Sequence, residues 1–120
     1  QPEVSRVMHP ALPSCPGHET WKRDFKGATG LFSFVLRPHP KAALAAMLDE
    51  LELFGMGFSW GGYESLIIPA NIAAHRTATK WTDPGQLLRV HAGLEDPEDL
   101  IADLDAGFAR LRAASARAAE

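Results

Sequence analysis

The sequence predicts an α/β (α+β) domain built on a mostly antiparallel open sheet with helices on one face, and three observations support that expectation. Apolar runs of strand length occur at 31–36, 66–68 and 87–92, bounded by Gly, Pro or turn residues. Helical apolar stripes follow the first and last of these runs. The order of elements then fits one layer of helices covering one sheet. With 120 residues, 46% hydrophobic and 22% charged, the chain suits one domain spanning 1–120. A chain of this size buries ~65% of its unfolded surface.

Val4 to Met8 reads as a short strand stopped by His9-Pro10, and Pro13, Pro16 and Gly17 make an irregular connector. His18 to Phe25 reads as two helical turns ended by Gly27, with Trp21 and Phe25, four apart, sharing a buried face. Leu31 to Leu36, between Gly30 and Arg37-Pro38, has the length and flanks of a buried central strand. Pro40 suits the first turn of the next helix, whose Leu44, Met47, Leu48 and Leu51 form one stripe. Met56 to Trp60 is expected as a strand running into Gly61-Gly62, followed by the apolar run Leu66 to Ile68.

Residues 69–84 read as mostly loop, with a helical turn at Asn71 to His75 and a tight turn at Thr82-Asp83-Pro84-Gly85. In the strand Leu87 to Ala92, alternation sends Leu88, Val90 and Ala92 to one face and Leu87, Arg89 and His91 to the other. Asp96 caps the final helix and Pro97 takes its first position. Its Leu100, Leu104, Phe108 and Leu111, with Ile101 beside them, form a sheet-covering stripe, and the Ala-rich end after Arg112 is expected to fray or project.

Composition excludes several classes of function. A net charge of −3 with interspersed Lys and Arg offers no basic stripe for nucleic acid or an anionic membrane. No apolar run approaches the ~20 residues of a membrane span, and no secretory signal pattern opens the chain. Cys15 alone forms no internal disulfide and suits a reducing, cytoplasmic setting. The five His lack zinc-site spacing, so no metal is expected. The first residue is Gln, and a strand begins almost at once; the expectation is a piece of a longer polypeptide.

The chemistry concentrates around Arg89 and the segment Ser59-Trp60-Gly61-Gly62. Arg89 is read either as an edge Arg paired with Glu95 or Asp96, or as a planar fork that fixes both oxygens of a carboxylate. Ser59 would add a neutral hydrogen bond to that anion, and Trp60 would wall off water or simply serve as core. His91 shares the Arg89 face, with a hydrogen-bonded structural role as its alternative.

Seven segments carry a resemblance: Val7-Met8-His9-Pro10, Pro16-Gly17-His18-Glu19, Trp21 to Phe25, Gly30 to Phe34, Phe58 to Leu66, Leu88 to His91 and Gly93 to Asp96. Together they resemble the C-terminal domain of pyridoxal-phosphate (PLP)-dependent cystathionine β-lyases, in the family of cysteine and methionine metabolism enzymes. The resemblance implies the small domain of an aspartate-aminotransferase-like, fold type I enzyme, with Arg89 binding the substrate α-carboxylate, Ser59 assisting and Trp60 lining the site. It implies PLP in the complete enzyme, cystathionine as substrate, a large PLP-binding domain outside these residues and a homo-oligomer.

The motif around the family's PLP-bearing Lys is absent: Lys22, Lys26, Lys41 and Lys80 lie outside a Ser/Thr-rich setting. The chain alone is therefore expected to hold no catalytic residue, to bind no cofactor and to be inactive. The alternatives are a domain of a cystathionine γ-synthase or γ-lyase relative, and a non-catalytic carboxylate-binding or assembly module.

Overall fold

A computed structural model describes residues 1–119. Its seven elements are β1 (Val4–Met8), α1 (His18–Asp24), β2 (Leu31–Leu36), α2 (Lys41–Leu48), β3 (Leu66–Ala70), β4 (Leu87–His91) and α3 (Pro97–Arg117). The strands form one sheet in the order β1-β2-β4-β3, antiparallel at every step. Leu31 to Leu36 is therefore an inner strand, in keeping with a run that is apolar except at Ser33. β3 is an edge, where Pro69 is tolerated because a missing ladder donor costs little there.

Register decides the faces, since directly paired residues point the same way. Phe34 lies opposite Leu88, and Ile67 opposite Val90, so one face is apolar throughout. Those side chains, with Leu36, merge with Met47 and Leu48 of α2 and Leu100, Phe108 and Leu111 of α3 into a single core. The two longer helices thus cover one face. The other face carries Ser33 opposite Arg89, with Ile68 on Arg89's far side and Leu31 and Leu66 flanking His91.

α3 starts where its residues dictate: the Asp96 side chain accepts from the Glu98 N–H at 2.8 Å, with Pro97 in the first turn. The helix continues without a break to Arg117, further than its Ala-rich end suggested, and Ile101 points to solvent at 58% exposed. High Ala propensity, with Ala114 still packed against the core, sustains the last turns.

Several expectations are corrected. α1 stops at Asp24 with Phe25 already extended, so Gly27 is not its terminator. None of its residues is buried and Phe25 is 63% exposed; the Trp21 indole instead donates to the Gly27 carbonyl at 3.1 Å. Pro40 sits at the cap of α2, one place before its first turn, and Leu51 lies beyond the helix while still packing on the core. Met56 to Trp60 is not a strand. The nearest ladder feature is a parallel bridge between Gly55, just before the segment, and Leu66, and from there the backbone leaves the sheet.

Candidate functional site

The loop that leaves the sheet at Gly55 is long, largely exposed and held by side chains from elsewhere in the fold. At its base Asp103 of α3, itself buried, accepts backbone N–H bonds from Glu52, Leu53 and Phe54 at 3.0, 2.8 and 3.3 Å. One carboxylate thereby satisfies three donors that have no strand partner.

Arg89 holds the next stretch. From the middle of β4 its Nη2 donates to the carbonyls of Gly57, at 3.4 Å, and Phe58. The guanidinium also lies 5.1 Å from the centre of the Phe58 ring, a cation–π separation. Arg89 thus ends against the residue that precedes Ser59. Neither predicted acidic partner reaches it: Asp96 caps α3 and Glu95 is engaged elsewhere. Among the described residues Arg89 forms no salt bridge. Its charge is met by carbonyl dipoles and the Phe58 ring rather than by a carboxylate.

Ser59 and Trp60 follow directly, both exposed, Trp60 at 57%. The reading of Trp60 as a core anchor is therefore withdrawn, because its indole lies outside the apolar layer between sheet and helices. At the turn itself Gly61 has φ +95°, a left-handed conformation that costs an L side chain about 1–2 kcal/mol. The His91 ring meets this turn: Nε2 lies 3.0 Å from the Gly62 carbonyl and 3.3 Å from the Gly61 N–H.

A third clamp closes the loop. Glu95 accepts from the Ser65 N–H at 2.8 Å and from the Ser65 hydroxyl at 2.7 Å, while that hydroxyl accepts from the Gly93 N–H at 2.8 Å. The Leu94 N–H donates to the Tyr63 carbonyl at 2.8 Å. The chains approach so closely that a Cβ on Gly93 would stand 2.1 Å from the Tyr63 oxygen, a contact no side chain tolerates.

The two Ser65 donors, backbone first, hold the Glu95 carboxyl below the usual glutamate range. A depressed folded pKa contributes stability above the unfolded value and loses it as pH falls through the folded one. The stability of wild type over Glu95→Gln should therefore be constant at neutral pH and shrink as pH drops below the ordinary glutamate value. Urea midpoints of the two chains across pH 7 to 3 check this, and a gap independent of pH would contradict it.

Sequence reasoning placed Arg89, Ser59, Trp60 and His91 in one neighbourhood, and the structure brings their segments together. It missed the Gly57 and Phe58 carbonyls, the Ser65–Glu95 clamp and the Asp103 anchor. These links join residues about 30 to 50 positions apart through single polar atoms, for which no periodicity exists.

Residues 1–109 match the model of the Cys/Met metabolism PLP-dependent enzyme family, and the chain belongs to that family. Its fold is that of fold type I PLP enzymes. The chain is 58% identical over 114 residues to the cystathionine beta-lyase MetC of Escherichia coli K12, covering 92% of this chain and 29% of that protein. It is 46% identical over 111 residues to an L-alanine/L-glutamate racemase of Wolbachia pipientis wMel, covering 91% and 28%.

Among solved structures, a cystathionine gamma synthase from Xanthomonas oryzae pv. oryzae, in complex with aminoacrylate and cysteine, superposes with TM-score 0.79 at 38% identity, over 94% of this chain and 30% of that one. The chain thus spans less than a third of the length of the curated relatives it matches.

The residues beside the loop do not by themselves fit the phosphate of PLP. The hollow beside the loop is lined by Glu52, Glu64 and Glu95 and contains no Lys or Arg, which opposes a phosphate. Lys22 lies on α1, Lys26 just past it, Lys41 opens α2 and Lys80 sits in the connector before β4, all on elements other than the loop. Among the described residues no three His, Cys, Asp or Glu side chains gather to hold a metal, and no helix is long and apolar enough to cross a membrane.

Proposed function

We propose that these residues form the C-terminal, substrate-carboxylate-binding domain of a PLP-dependent cystathionine β-lyase, one that cleaves cystathionine to homocysteine, pyruvate and ammonia. A large PLP-holding domain would come from further chain, and the 120 residues alone would be inactive. The complete enzyme would work in the cytoplasm as a homo-oligomer, without nucleic acid or membrane.

The observation that carries this reading is an Arg on the sheet face opposite the helices, braced by backbone carbonyls and, among the described residues, paired with no carboxylate. Such a guanidinium is fixed in orientation before a ligand arrives, so an amino acid's α-carboxylate meets little reorganisation cost. Once the long 3.4 Å contact to Gly57 gives way, Nη2 and a neighbouring guanidinium nitrogen would offer two parallel N–H bonds that set the rotation of the substrate as well as its position. Ser59 would add one neutral bond, and Trp60 would exclude water so that the charged bonds strengthen.

The relatives' names lend support. A lyase acting on cystathionine, a synthase and a racemase acting on alanine and glutamate share little in leaving group, yet amino acids share the α-carboxylate. A region common to all three fits a role directed at that group.

The γ-type reading rests on the synthase structure that the chain superposes on. Product analysis separates the two: the complete enzyme fed cystathionine is expected to release pyruvate, and 2-oxobutyrate in its place would assign the domain to a γ-lyase. Release of neither by the loaded enzyme would favour a γ-synthase or a module that only binds.

A further inference from the structure

We infer that His91 is a positioning residue for the substrate-binding loop: its Nε2 fixes the Gly61-Gly62 turn and through it the places of Ser59 and Trp60. The inference rests on the carboxylate-binding reading above and extends it to a residue that never touches substrate. Three observations support it.

First, the turn needs an external tether. Gly61 is left-handed and Gly62 carries no side chain, so the turn has no bulk with which to pack and little intrinsic preference for one conformation. Second, His91 supplies that tether from a rigid base. It is paired on both sides within the sheet, to Leu31 and to Leu66, and is about nine-tenths buried. Third, the ring's polar capacity is spent on the turn. Nε2 lies within reach of both turn groups and, according to tautomer, donates to the Gly62 carbonyl or accepts from the Gly61 N–H, while Nδ1 is buried with no partner.

Leaving Nδ1 unpaired costs free energy, and a Leu or Val at this buried position would avoid that cost. The polar ring is therefore explained by what Nε2 does. Arg89, two residues earlier on the same face, tethers the loop before Ser59, and His91 tethers it after Trp60. The Ser59-Trp60 pair is thus suspended between two side chains of one strand, and its distance from the Arg89 fork is a property of β4.

The chemistry sets a conservative series. Gln extends a polar atom to roughly where Nε2 lies, Asn reaches only as far as Nδ1, and Phe fills the space with no polar atom. In the complete holoenzyme with cystathionine, His91→Phe and His91→Asn are expected to raise KM about tenfold with kcat changed less than threefold, and His91→Gln to restore most of the affinity. In the same variants of the 120-residue chain, amide exchange at Gly61 and Gly62 should speed up for Phe and Asn and stay slow for Gln.

Equal KM in all three variants, or equal loss with Gln no better than Asn, would overturn the inference. Should Phe prevent folding, the Asn and Gln pair decides. Arg89→Ala run in parallel separates the two readings. If it leaves KM and kcat/KM unchanged, the carboxylate assignment itself fails; if it impairs them while the His91 series is silent, only the positioning role fails.

Discussion

Replacing Arg89 with Ala in the complete enzyme is expected to lower kcat/KM at least ~100-fold, a loss on the order of 3 kcal/mol of transition-state stabilisation. Two effects add. The guanidinium is the only cation the described site residues bring to the loop, so its loss leaves the bound carboxylate without charge compensation. Its Nη2 also holds the Gly57 and Phe58 carbonyls, so the segment leading to Ser59 loses its brace. Arg89→Lys should recover only part of the activity, because an ammonium gives a point charge without the planar fork. Steady-state kinetics of the three enzymes check this, and near-normal kcat/KM in the Ala variant would refute the assignment.

The largest effect on stability is expected at Leu88, the residue before Arg89. Leu88 is fully buried on an inner strand, opposite Phe34 on one side and Pro69 on the other, and faces the helices. Leu88→Ala removes apolar contact and leaves a cavity that two flanking strands cannot close, at a cost of about 3–4 kcal/mol. That is a large share of the ~5–15 kcal/mol by which a domain of this size is stable. Ile101→Ala, on the exposed side of α3, should change stability by less than about 0.5 kcal/mol.

Urea denaturation of the 120-residue chain reads both, as a shift in midpoint at constant slope. Similar losses in the two variants would contradict the assignment of the core. The consequence reaches the site, because alternation along β4 makes the packing of Leu88 and Val90 into the core the reason that Arg89 and His91 face outward.

That alternation was legible in the residues. Leu88 and Val90 inward with Arg89 and His91 outward follows from a period of two, and the sheet bears it out. The inner position of Leu31 to Leu36 follows from an apolar run interrupted only by Ser33, and the start of α3 from Asp96 and Pro97. The segment Met56 to Trp60 misled because it has a strand's length and composition. Its backbone groups instead turn to side chains: Gly57 and Phe58 offer carbonyls to Arg89. A strand and an irregular loop differ there only in who satisfies the backbone, and the partner comes from 31 or 32 residues away.

The same limit hid the Glu95–Ser65 clamp. Glu95 stands just before the cap of α3, where an acid has a local explanation, and nothing within its own segment points to Ser65. Asp103 is one of several acids along α3, with nothing in its own segment to mark it, yet it ties down Glu52, Leu53 and Phe54. What packs by periodicity could be anticipated; what is joined by one long-range polar contact required coordinates.

The most direct test of the arginine grip is a cycle that changes both sides of the contact. Rates with a β-eliminating amino-acid substrate and with its α-carboxamide are measured for the complete wild-type enzyme and for Arg89→Ala. If Arg89 holds the carboxylate, wild type prefers the acid strongly and that preference nearly vanishes in the variant. A preference for the acid that survives the loss of Arg89 undiminished would mean that the carboxylate is bound elsewhere.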